Sequence, residues 1–157
     1  MDKLALNSLK EILEKNKLLT LSTISNNQPH SNTAYYAFDK SFNLYIWSEK
    51  DTVHSKNILK NKKVAVNIFD SSQKWGSLLR RIQAMGFARS VNAKELVKAG
   101  FLYLKRFPQS LKMVKDPKGF HHKIFESQLY KIKLNKIKVF DEKVFGKGES
   151  KEISLKN

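Results

Sequence analysis

"LLTLSTISNNQPHSNTAYYAFDKSFNLYIWS", Leu18 to Ser48, holds three β-rich runs separated by two short polar breaks. The first, Leu18 to Ser25, ends in Asn26 and Asn27, residues that tolerate the positive φ of a hairpin turn. His30 to Phe38 is the returning strand, Asp39 to Asn43 supplies the next turn, and Leu44 to Ser48 is a third, aromatic strand. Connections this short join antiparallel neighbours, so the stretch is a meander.

Beyond Ser48 the period changes. Asp51 or Thr52 can cap a helix from Val53 to Lys60, and "KKVAVNIFD" is a fourth strand with Val64, Val66 and Ile68 on one face. After the loop "SSQKWGS", "LRRIQAMGFARSV" is a fifth strand in which Gly86 marks a bulge or a close backbone approach. Asn92 with Glu95 makes a capping-box start for a helix through Phe107, ended by Pro108. A looser segment with Pro117 and Gly119 leads to "FESQLYKIKLNKIKVF", whose alternation sends Leu129, Lys131 and Lys133 to one face and Tyr130, Ile132 and Leu134 to the other. Before the meander, Leu6, Leu9, Ile12 and Leu13 recur at helical spacing from Leu4 to Asn16. The segment 141–157 is polar and reads as a mobile tail. Six mostly antiparallel strands, with helices after the third and fifth, give a mainly β fold, a small closed or split barrel in one domain over residues 1–157.

The composition is that of a folded globular chain, with 41% hydrophobic and 28% charged residues. No apolar run is long enough to span a membrane, and the first residues lack a signal peptide's pattern, so a cytoplasmic protein without membrane partners is expected. Cysteine is absent, which excludes disulfides, thiolate metal sites and cysteine nucleophiles. The net charge of +16 is uneven, +4 up to Leu78 and +12 after it, which favours anionic ligands. Arg80, Arg81, Arg89, Lys105 and Arg106 stand among Trp75, Phe101 and Tyr103, as in some single-strand binders, although packing of those aromatics in the core is the simpler reading.

The junction of the third strand with its helix sets Ser48, Ser55 and Lys56 around a helix N-terminus. Backbone N–H groups, hydroxyls and a compact cation are the parts of an anion site, and equally those of a capped surface helix. His30, His54, His121 and His122 show neither the helical pairing nor the neighbouring carboxylates of a metal centre, so no metal is expected. Nucleophile elbow, P-loop and G-x-G-x-x-G motifs are missing, and no catalytic residue can be named.

The order of these elements, with Gln28-Pro29 leading the second strand, the S-K-N-I-x-x-N helix at Ser55 to Asn61 and the glycine-bearing fifth strand, resembles the flavin-binding split barrel of the pyridoxamine 5'-phosphate oxidase-like superfamily. Within it the chain is most similar to a small uncharacterised bacterial branch, through Tyr35 to Asp39, Lys105 to Pro108 and Phe145 to Lys147. The resemblance implies a six-stranded antiparallel Greek-key split barrel of the FMN-binding type, a homodimer with FMN at the interface, and an oxidoreductase acting on a small molecule. It assigns Ser48, Ser55 and Lys56 to the FMN phosphate, and Asn32, Thr33, Ala34 and Tyr35 to the edge of the isoalloxazine. Trp47 becomes the next wall, Arg81 and Gln83 approach from the fifth strand, and Tyr103 and Arg106 fall near a substrate-contacting helix. Asn32 and Ser55 stand where the oxidase has arginines, and its C-terminal arginine-histidine signature has no counterpart in "LYKIKLNKIKVFDEK", which argues against pyridoxamine phosphate as substrate. The competing readings are a flavin carrier or sensor without turnover, a basic barrel binding nucleic acid non-specifically, and a haem-binding relative.

Overall fold

The computed structural model describes residues 2–110 and 127–155. In chain order it contains α1 (Lys3–Lys15), β1 (Leu18–Ser25), β2 (Gln28–Phe38), β3 (Leu44–Glu49), α2 (Val53–Lys60), β4 (Lys63–Phe69), β5 (Arg80–Ser90), α3 (Ala93–Arg106), β6 (Ser127–Asp141), α4 (Glu142–Phe145) and β7 (Ser150–Ser154). Asn26 and Asn27 adopt φ of 51° and 59° and close β1 on β2 with Ser25 opposite Gln28, as a two-residue hairpin requires. Thr52 caps α2, and α3 carries the full reciprocal capping box between Asn92 and Glu95.

The strands run β3-β2-β1-β4-β5-β6-β7, all pairs antiparallel, and β3 also pairs with β6, which closes six strands into a barrel. The sheet has seven strands rather than six. β7 comes from the segment read as a polar tail, and Ile153 is the one buried side chain of that strand, which leaves alternation too weak to notice. β6 explains why it is recruited: Ser127 to Ile132 pairs with β3, and the edge that outruns β3 is paired from Lys136 to Phe140 by β7. The histidines at 121 and 122 lie outside the described residues.

The barrel is split beside β2. β2 meets β3 only from Tyr36 to Phe38, so Gln28 to Tyr35 has β1 on one side and, among the described residues, no strand on the other. α2 packs there against β1 and β2. Inside, Leu19, Leu21, Tyr36, Ile46, Val66, Ile82, Ile132 and Val139 form the core, and α1 adds Leu9, Ile12 and Leu13, each such side chain contributing about 1.5–3 kcal/mol on burial. α3 packs outside, where Ala99 and Tyr103 meet Ala37, Tyr45 and Leu129. Trp75 and Phe101, expected in a core, are exposed; only Tyr103 of those aromatics is packed.

Gly86 meets both halves of its expectation. The register slips between Met85, opposite Lys136, and Gly86, opposite Leu134, so Asn135 is the extra residue of a bulge. A Cβ at Gly86 would lie 2.3 Å from the Lys133 carbonyl oxygen.

Candidate functional site

The start of α2 gathers the polar groups. Thr52 Oγ1 accepts from the Ser55 N–H at 3.4 Å and lies 3.0 Å from the Glu49 carbonyl. Ser55 is fully buried and its hydroxyl donates to the same carbonyl at 2.7 Å, so the expected phosphate hydroxyl is engaged within the cap. Lys56, one residue on, is exposed. Ser48 Oγ lies 2.6 Å from His54 Nε2, and His54, 8% exposed, stacks on His30 with ring centroids 6.4 Å apart and planes at 10°. Burial, aided by His30, pushes the His54 imidazole below its ordinary value, so near neutral pH it is uncharged and Nε2 can accept the Ser48 hydroxyl proton. Asn57 Nδ2 donates to Thr23 Oγ1 at 3.1 Å, which ties α2 to β1 beneath this pair.

His30 and His54 belong to the site although the sequence points only to the serines and the lysine. The signal available was the register: Thr23 stands opposite His30, which puts His30, Asn32 and Ala34 on the face of β2 shared with Leu21 and Leu19. On that face Asn32 Oδ1 is buried without a hydrogen-bond partner among the described residues. A buried acceptor without a donor costs about 1–3 kcal/mol, so it marks a position suited to a ligand's N–H or O–H. Thr33 and Tyr35 point to the outer face, opposite Thr20 and Leu18.

The remaining expected residues are dispersed. Trp47, opposite Leu129, lies edge-on to Tyr103 at 6.0 Å and belongs to the packing beneath α3. Burial pushes the Tyr103 hydroxyl up to about 12. Arg106 donates from one terminal nitrogen to the carbonyls of Leu13 and Asn16, both at 2.6 Å, and its guanidinium lies 4.9 Å from the Tyr36 ring centre, which makes it a brace between α3 and the end of α1. Gln83 and Arg81 are on the outer face of β5, Gln83 in the row of Asn67, Thr20 and Thr33, and Arg81 4.5 Å over the Phe140 ring. Three strand spacings of about 4.8 Å put Gln83 roughly 14 Å from β2. The structure therefore links Ser48, through His54 and His30, to the face of β2 that carries Asn32 and Ala34, keeps Ser55 and Lys56 on the adjoining helix, and sets Thr33, Tyr35, Trp47, Tyr103, Arg81, Gln83 and Arg106 apart from them.

The sequence model of one family, pyridoxamine 5'-phosphate oxidase, matches residues 6–139. A UPF0306 protein of Pasteurella multocida (strain Pm70) is 29% identical over 102 residues, 64% of this chain and 68% of that protein. A heme-binding protein from Mycobacterium smegmatis superposes with a TM-score of 0.75 at 13% identity, over 96% of this chain and 57% of the other, so this chain spans little more than half of that protein. A FAD-binding protein from Mesorhizobium loti superposes with a TM-score of 0.65 at 16% identity, over 85% of this chain and 91% of the other. At such identities the two structures share a fold with this chain.

Proposed function

The chain belongs to the pyridoxamine 5'-phosphate oxidase family, and on that premise we propose that it is an FMN-binding flavoprotein, an oxidoreductase acting on a small molecule other than pyridoxamine phosphate. The observation that carries the reading is the split beside β2, where β2 has an edge without a strand partner among the described residues, Asn32 Oδ1 is buried without a hydrogen-bond partner among them, and α2, which carries the exposed Lys56, packs on β1 and β2. These residues fit the cofactor. Backbone groups from Asn32 to Tyr35 suit the polar rim of the isoalloxazine, Asn32 Oδ1 gains a donor, and Lys56 meets the phosphate. Ser55 acts through the cap that fixes the start of the helix, and His54 holds Ser48 in place. The bound flavin would supply hydride or electron transfer, while the chain orients it and screens it from water.

The proposal includes a homodimer. Thr20 pairs with Asn67, which sets exposed Leu18 beside exposed Phe69 on the outer face, with Tyr35 next to Leu18 and Met85, 62% exposed, further along β5. An apolar row of this kind needs a cover, and a second copy laid over it would bring its Gln83 and Arg81 to the flavin that the first copy's β2 cannot reach with its own.

The test begins with the absorption spectrum of the purified protein, where flavin bands are expected and a haem Soret band would redirect the reading. Titration with FMN, followed by flavin fluorescence, then compares Lys56→Ala with Lys60→Ala, both exposed on α2. Losing a charged hydrogen bond to a partly buried phosphate costs about 1.5–3 kcal/mol, so Lys56→Ala should bind roughly 10- to 150-fold more weakly and Lys60→Ala nearly as the parent does. Equal affinity in two folded variants would refute the phosphate role of the junction.

A further inference from the structure

The basic excess after Leu78 is not absorbed by the flavin reading, and part of it lines a second cavity. Ser41, Asn43, Lys62, Phe87, Arg89, Lys131, Lys133 and Leu155 surround a space of about 590 Å³, within the range of small-ligand sites and lined by no acidic residue among those described. The sheet register explains its charge. Arg89 stands directly opposite Lys131, and Phe87 opposite Lys133, so three cations crowd neighbouring positions of β5 and β6. Like charges placed opposite each other destabilise a sheet. Glu95, reaching in from α3, bonds Arg89 at 2.6 Å and Lys131 at 3.0 Å and offsets part of that repulsion. Lys62 and Lys133 have no carboxylate partner among the described residues, so of the four cations only Arg89 and Lys131 are paired, both with the one carboxylate of Glu95, which is not among the residues that line the cavity. The bulge at Asn135 interrupts β6 next to Leu134, and Phe87, 43% exposed, lines the cavity together with the apolar Leu134 and Leu155.

We propose that this cavity is a second binding site, separate from the split beside β2, that takes a nucleoside di- or triphosphate, with Lys62 and Lys133 on the phosphates and Phe87 against the base. A phosphate chain of two or more groups supplies the anionic charge that four cations and one carboxylate leave unbalanced. An aromatic face accepts any base by stacking, which makes the site selective for nucleotides over plain phosphates without base-specific hydrogen bonds.

The experiment is calorimetric titration of the whole chain with ATP, pyrophosphate and adenosine at about 0.15 M salt, where exposed charges alone are largely screened. Saturable binding of one ATP per chain is expected. The double variant Lys62→Gln/Lys133→Gln should lose about tenfold or more in ATP and pyrophosphate affinity, as removal of two charged contacts implies. Phe87→Ala should weaken ATP and leave pyrophosphate unchanged, while Lys10→Gln on α1 changes neither. Because these side chains are on the surface, thermal melts should show every variant folded. Prior saturation with FMN should leave ATP affinity as it is, which separates this site from the flavin reading whether or not that reading holds. Displacement of ATP by FMN, an equal loss in the Lys10 control, a double variant within twofold of the parent, or no saturable ATP binding would each overturn the proposal.

Discussion

Gly86 shows how far a single position can be argued. Its missing Cβ lets the β5 backbone approach the Lys133 carbonyl, and a methyl 2.3 Å from a backbone oxygen cannot be relieved by a rotamer change. Gly86→Ala should therefore destabilise by about 1–3 kcal/mol or more, the usual cost of overpacking, with the bulge displaced. At Gly100, within α3, a Cβ would meet nothing within 4 Å, so Gly100→Ala should stabilise by about 0.5–1 kcal/mol through helix propensity alone. Paired urea melts of the two variants check both signs. At this scale the sequence is informative where backbone chemistry decides: Asn26, Asn27, Gly86 and the Asn92-Glu95 box all do what their residue types require. It is blind to the pairing of His30 with His54, which lie 24 positions apart and meet only because β2 and α2 bring them together. Nor does it show that the Ser55 hydroxyl turns inward to the Glu49 carbonyl, since a capping serine and a ligand-binding serine look alike in a string of letters.

Among the elements, α3 depends most on one side chain. It lies outside the barrel, and Arg106 fastens its last turn to the carbonyls of Leu13 and Asn16 while resting on Tyr36 and Phe38. Removing it leaves two part-buried carbonyls without this donor, so Arg106→Ala should cost about 2–4 kcal/mol. Arg106→Lys should recover only a fraction, because an ammonium cannot bridge both carbonyls and stack at once. Hydrogen exchange in α3 and the C-terminal turn of α1 would report the loosening, and exchange unchanged in both would show that the aromatic packing of Tyr103 is enough. Most elements are legible because alternation or a cap marks them. β6 is instructive: its buried residues shift from Tyr130, Ile132 and Leu134 to Ile137 and Val139, a spacing of three where a strand has two. That irregularity encodes the bulge, and it is visible in "KLNKIK" once alternation is followed past Leu134. β7 carries no comparable mark, because a strand held by the β6 edge needs little apolar surface of its own.

Charge governs the molecule as a whole. With 30 Lys and Arg against 14 Asp and Glu, the folded chain repels itself, and each carboxylate that loses its charge increases that repulsion. Hydrogen bonds from Arg89, and also from Lys131, hold Glu95 at about 2, and those from Lys15 and Arg80 do the same for Glu11. Burial works against the charged form of Asp39, yet its bonds from Lys98 and Asn43 keep it below its ordinary value. All three groups bind a proton less readily in the folded than in the unfolded chain. The contribution of Glu11 and Glu95 is therefore fully present above the ordinary glutamate value of 4.5 and is lost as pH falls from there toward about 2, and that of Asp39 is lost in the same direction, as pH falls below its own ordinary value. The melting temperature should be flat from neutral pH to about 5 and drop steeply below 4.5, more steeply at low salt, because the growing positive charge is then unscreened. Glu95→Gln isolates one component. At pH 7 it leaves Arg89 and Lys131 facing each other with no carboxylate between them, and a partly exposed pair of this kind is worth about 0.2–1 kcal/mol, or roughly 1–4 °C. As the parent's Glu95 protonates, the two proteins become alike, so the gap in melting temperature should close between pH 4.5 and about 2. A gap of constant size across that range would mean that Glu95 acts through packing and the α3 cap and not through its charge.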